Sequence, residues 1–126
     1  MYNIEIDIYL DHKRLRAWRC DTHLTTDEVS KAIAFLLSKK QPKNIHDSQI
    51  ELSKEPIYIH LRNVRDYLMN LTERTVERLE EKYLRVDMNS KTKTFRIEEE
   101  DKKLETSPPK GLSVSYGGPG NYYNYL

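Results

Sequence analysis

The sequence is short of the residues that build several common kinds of site. It has one cysteine, Cys20, so no internal disulfide forms, which fits a reducing compartment. Its glycines are Gly111, Gly117, Gly118 and Gly120, so the stretch ahead of them holds no glycine-rich phosphate loop. The longest apolar run, Ala32 to Leu37, is six residues. A membrane-spanning helix needs roughly 20. Met1 to Leu10 alternates acidic and apolar residues and lacks the charged start and apolar run of a signal peptide. Charge of one sign is also missing: 21 Lys and Arg face 20 Asp and Glu, a net of +1. No global positive field exists, and anion binding must rest on local patches. The expectation is a cytoplasmic protein with no membrane association.

What is present is charge around a small core. Hydrophobic residues make up 37% of the 126, charged residues 33%, and the mean hydropathy is -0.81. That length supports one core. Residues 1–100 are expected to form a single domain and 101–126 a flexible tail. The tail is first charge-dense, then broken by Pro108, Pro109, Pro119 and the four glycines.

Ile4, Ile6, Ile8 and Leu10 alternate with Glu5, Asp7 and Tyr9, the period of a strand. Asp11-His12-Lys13 reads as a turn and Arg14 to Cys20 as the returning strand. Together they predict an N-terminal hairpin over 1–20. Thr25 and Glu28 form a capping box. Val29, Ala32, Ile33, Leu36 and Leu37 follow at helical spacing, and Pro42 stops the run. Ile57-Tyr58-Ile59 reads as a short strand. A second helix then carries Leu61, Val64, Tyr67 and Leu68 inward. A third, capped by Thr72, lines up Thr75, Val76, Leu79 and Tyr83. Leu84, Val86 and Met88 alternate, Asn89-Ser90 turns, and Phe95 and Ile97 alternate again, which predicts a hairpin.

No catalytic pattern stands out: there is no nucleophile elbow and no His-x-x-x-His pair. The run Glu98 to Asp101 reads as solvated charge. The acids of a metal-dependent nuclease need not be adjacent, so that chemistry stays open, but the expectation is a non-enzyme without cofactor. Cys20-x-x-His23 is the only paired set of metal ligands; His12, His46 and His60 add no second pair. No metal site is expected.

The stretch IYIHLRNVRDYLMNLTERTVERLEEKYLRVDMNSKTKTFRIE, Ile57 to Glu98, resembles the winged helix-turn-helix family. With Thr25 to Lys40 as first helix, the likeness covers roughly half the chain. Val64, Leu68, Leu71 and Thr72 match the family's turn, Val76 and Leu79 the buried positions of its recognition helix, and Arg85 to Ile97 its wing. The resemblance implies an α+β fold: a winged helix-turn-helix core with an N-terminal β-hairpin and a flexible C-terminal tail. It also implies binding of double-stranded DNA by a homodimeric transcription regulator. Arg74 and Arg78 would then reach guanine edges or phosphates from the major groove, and Thr72 and Thr75 would touch the DNA backbone. Arg85, Lys91, Lys93 and Arg96, against the single acid Asp87, would meet phosphates.

Two further groups are candidates. Lys13, Arg14, Arg16 and Arg19 surround Trp18 and suit either a nucleic-acid backbone or a charged edge strand. Tyr116, Tyr122, Tyr123 and Tyr125 sit in the tail, as an arm for a protein partner or an idle extension. The rival function is a protein-interaction module, such as a small viral or plasmid accessory protein. Glu73, Glu77, Glu80 and Glu81 outnumber Arg74, Arg78 and Lys82 on the third helix, and they favour that rival.

Overall fold

The alternation of Ile4, Ile6 and Ile8 with Glu5 and Asp7 produces the middle of a β-sheet. The computed structural model describes residues 1–101. Their elements are β1 (Tyr2–Leu10), β2 (Lys13–Thr22), α1 (Thr26–Ser38), β3 (Ile50–Glu51), α2 (Ile57–Leu71), β4 (Glu80–Asn89) and β5 (Thr94–Glu100). The five strands form one sheet in the order β2-β1-β4-β5-β3. β1 runs parallel to β4, and every other neighbouring pair is antiparallel.

The β1–β2 hairpin turns at Asp11 and His12, whose φ angles are 51° and 70°. Two successive left-handed residues make the turn whose twist matches the flanking strands. The sheet puts Ile4, Ile6, Ile8, Trp18, Cys20, Leu84, Val86, Met88, Phe95 and Ile97 into one core with Val29, Ile33, Ala34 and Leu37 of α1 and Leu61, Val64 and Leu68 of α2. Both helices therefore cover the same sheet face. The opposite face carries Glu5, Asp7, Arg85, Asp87, Arg96 and Glu98, the alternate residues of the same strands.

This architecture overturns the winged helix-turn-helix core. Among the described residues there are two helices, and the sheet dominates. Ile57-Tyr58-Ile59 is the first turn of α2 rather than a strand. The recognition helix is absent: residues 72–79 are irregular and lead straight into β4. Val76, which helical spacing placed in the core, is 105% exposed. The hairpin of β4 and β5 is no peripheral wing. β4 lies at the centre of the sheet, bonded to β1 on one side and β5 on the other. The physical reason is the demand of β1: a strand with three fully buried isoleucines needs partners on both edges, and β2 supplies only one.

The capping box of α1 forms as written. The Thr25 hydroxyl accepts from the Glu28 amide at 3.2 Å, and Glu28 accepts from the Thr25 amide at 2.9 Å. The helix ends on Lys39 in the left-handed region, φ 61°. A side chain with a Cβ is strained there by about 1 kcal/mol, and glycine is not. Lys39→Gly is expected to raise stability by about 1 kcal/mol, a gain in melting temperature of roughly 4–8 °C. A thermal melt that stays the same or falls contradicts it.

Candidate functional site

Because β1 and β4 are parallel, the turns that follow them lie at the same end of the sheet. Hydrogen bonds lock these turns together. The Asp11 amide donates to the Met88 carbonyl at 2.9 Å, and the Ser90 amide donates to Asp11 Oδ1 at 2.8 Å. The Ser90 hydroxyl donates to Asp11 Oδ2. Hydrogen bonds from the Ser90 hydroxyl, then from its amide, hold the Asp11 carboxyl below its ordinary value. Asn89 shapes the second turn: its side-chain oxygen accepts from the amides of Lys91 at 2.9 Å and Thr92 at 3.0 Å. Lys93 closes it with φ 60°. The Leu52 amide donates to the Lys93 carbonyl at 2.7 Å and draws the 52–56 segment alongside.

The outcome is a basic end to the sheet. Lys13, Lys91 and Lys93, from two clusters far apart in sequence, meet there with Lys54. All four are exposed, and none makes an ion pair among the described residues. Lys54 carried no signal in the sequence. It sits in a polar stretch, and only the pairing of β3 with β5 brings it here.

The other candidate cations are elsewhere or engaged. Arg14 pairs with Asp7 at 3.0 Å and Arg19 with Glu5 at 3.2 Å. Arg16 donates to the Leu15 carbonyl at 2.8 Å. Arg85 pairs with Asp87 at 2.9 Å and lies 3.9 Å from the centre of the Tyr9 ring. Arg96 pairs with Glu98. Arg74 and Arg78 are exposed but lie before β4 begins. At about 3.3 Å per residue, the length of that strand sets them roughly 30 Å from the basic turns. Thr72 ends α2, its hydroxyl donating to the Leu68 carbonyl at 2.9 Å. Thr75 accepts from the Glu77 amide at 3.0 Å. The two contact groups that the resemblance implied, on a recognition helix and a wing, therefore do not come together on one face. Tyr116, Tyr122, Tyr123 and Tyr125 lie outside the described residues.

The far end of the sheet has the opposite character. Glu73, Glu77, Glu80 and Glu81 gather where β1 and β4 begin, with Glu28 at the start of α1. A chain of near-zero net charge is thus polar along its strands. Cys20 is buried, donates weakly to the Leu68 carbonyl at 3.7 Å, and has its thiol pushed up by burial. Among the described residues no group of three His, Cys, Asp or Glu is placed to hold a metal ion. No helix among them is long and apolar enough to cross a membrane. Comparison with protein-family models, curated proteins and solved structures finds no match to this chain.

Proposed function

We propose that the chain is a DNA-binding protein that grips the phosphate backbone of a duplex with the basic end of its sheet. The observation that carries this reading is the Asp11–Ser90 link, which fastens Lys13, Lys91 and Lys93 into one patch. Lysines that form no ion pair among the described residues keep their charge available for phosphates, and binding then releases condensed counterions. The acidic far end supports the reading as well, because it turns the basic end towards a polyanion during approach. Contacts of this kind position a protein without reading bases, so any control of transcription follows from occupancy. A cytoplasmic location goes with it. The test is binding of the full chain to random duplex DNA from low to moderate salt. A log–log salt slope of about -3 to -4 is expected, from roughly 0.9 per phosphate neutralised. No binding at low salt overturns the proposal.

A second reading, a protein-interaction module or a homodimer, draws on exposed apolar side chains. Tyr58 is 75% and Met69 67% exposed on α2, and Val76 is bare beyond it. Sedimentation equilibrium decides the homodimer: a monomer mass at every concentration removes it.

A further inference from the structure

Beside the basic turns lies a cleft of about 600 Å³. That volume falls within the range of small-molecule sites. Its walls are Leu10, Leu52, Ile57 and Pro56 on the apolar side, with Lys54 and Lys93 at the rim. It opens on the start of α2, a helix with an unusual beginning. Pro56 occupies the capping position and offers no side-chain acceptor, and the first turn has no acid. The Ile59 amide is taken by the Pro56 carbonyl at 3.0 Å. The amides of Ile57 and Tyr58 have no acceptor among the described residues. Free amides and the helix dipole attract an anion at such a terminus.

A second observation is independent of the helix end. His60, one turn into α2, forms part of the cleft wall and is only 1% exposed. Among the described residues neither ring nitrogen has a hydrogen-bond partner. Leaving a buried donor or acceptor unpaired costs about 1–3 kcal/mol. A purely structural position would be filled more stably by leucine. The cleft's acids do not cancel its cations: Glu55 is paired with Lys39 at 3.8 Å, which leaves Glu51 against Lys54 and Lys93.

We infer that this cleft binds a phosphomonoester of nucleotide size. Its phosphate meets the Ile57 and Tyr58 amides, Lys54 and Lys93. Its organic body lies on Leu10 and Leu52. His60 turns a ring nitrogen towards the ligand and gains the hydrogen bond it lacks. The inference does not depend on DNA binding, because Lys13 and Lys91 do not line the cleft.

The test is an NMR titration of the full chain with adenosine 5′-monophosphate, inorganic phosphate, adenosine, and sodium chloride at matched ionic strength. Saturable shifts of the Ile57 and Tyr58 amides with the monophosphate are expected, with affinity at least about tenfold above inorganic phosphate. Equal affinity for the two phosphates overturns the role of the apolar walls. The same shifts with adenosine or chloride, or no saturation with either phosphate, overturn the site. Lys54→Ala, a surface change, is expected to weaken binding about tenfold, and unchanged affinity contradicts the assignment. His60→Leu is expected to melt no lower than the native chain and to lose binding at least about tenfold. Retained binding in folded His60→Leu refutes the part given to His60. Lys13→Ala with Lys91→Ala is expected to weaken DNA binding and leave the phosphate titration unchanged, so each reading fails visibly without the other.

Discussion

Phe95→Ala is expected to lower folding stability by about 3–5 kcal/mol, a large share of the roughly 5–15 kcal/mol that a domain of this size has in total. Phe95 is 2% exposed and lies on β5 between Met88 of β4 and Ile50 of β3. Removing the ring opens a cavity where the short β3 closes the sheet. β3 has only two residues, and Ile50 stands directly opposite Phe95. Val76→Ala is the matching control. The helical reading of 72–83 buries Val76, and the structure exposes it fully. Its truncation is expected to change stability by less than about 0.5 kcal/mol. Urea denaturation of both variants measures the difference. A loss below about 1 kcal/mol for Phe95→Ala, or a comparable loss for Val76→Ala, contradicts this fold.

The triple change Lys13→Ala, Lys91→Ala and Lys93→Ala is expected to weaken duplex DNA binding by several hundred-fold at about 0.1 M salt. Each neutralised phosphate contributes roughly 0.9 to the log–log slope, so three contacts give on the order of 500-fold between 1 M and 0.1 M salt. The slope itself is expected to flatten by roughly two to three. All three side chains are exposed at turns, so the fold tolerates their loss. Arg74→Ala with Arg78→Ala makes the comparison sharp. Those residues head the predicted recognition helix but lie at the acidic end of the sheet. The arginine pair is expected to cost less than about threefold, since screening over roughly 30 Å leaves little interaction. A larger loss from the arginine pair than from the three lysines defeats the proposed DNA-binding end.

Local patterns were legible wherever one short stretch contains the whole argument. The alternation of Ile4, Ile6 and Ile8 produced β1, and the Thr25–Glu28 box produced the start of α1. Val86 and Ile97, and Met88 and Phe95, face each other across the β4–β5 hairpin as their alternation requires. Part of the candidate site was legible too: Lys91 and Lys93 on one hairpin, Lys13 on the other.

Sequence and fold part where a stretch satisfies two periods at once. Thr75, Val76, Leu79 and Tyr83 have helical spacing, but Leu84, Val86 and Met88 have strand spacing, and the strand extends back to Glu80. Ile57-Tyr58-Ile59 is β-branched and aromatic, yet it opens a helix whose later residues Leu61, Val64 and Leu68 bind it to the core. Tertiary packing settles such ties, because burial of a whole face outweighs the propensity of a few residues.

The sequence by itself determined the two hairpins, the two helix faces that form the core, and the near balance of charge. Those features are set by contacts between residues a few positions apart. Only the tertiary structure decided that β1 takes β4 as its parallel partner, some 80 residues along the chain. That one pairing removes the recognition helix and joins the two basic turns. The pairing of β3 with β5 then places Lys54 and the start of α2 beside them. Parallel strands carry no turn to announce their partner, and their register is chosen by the core they bury together.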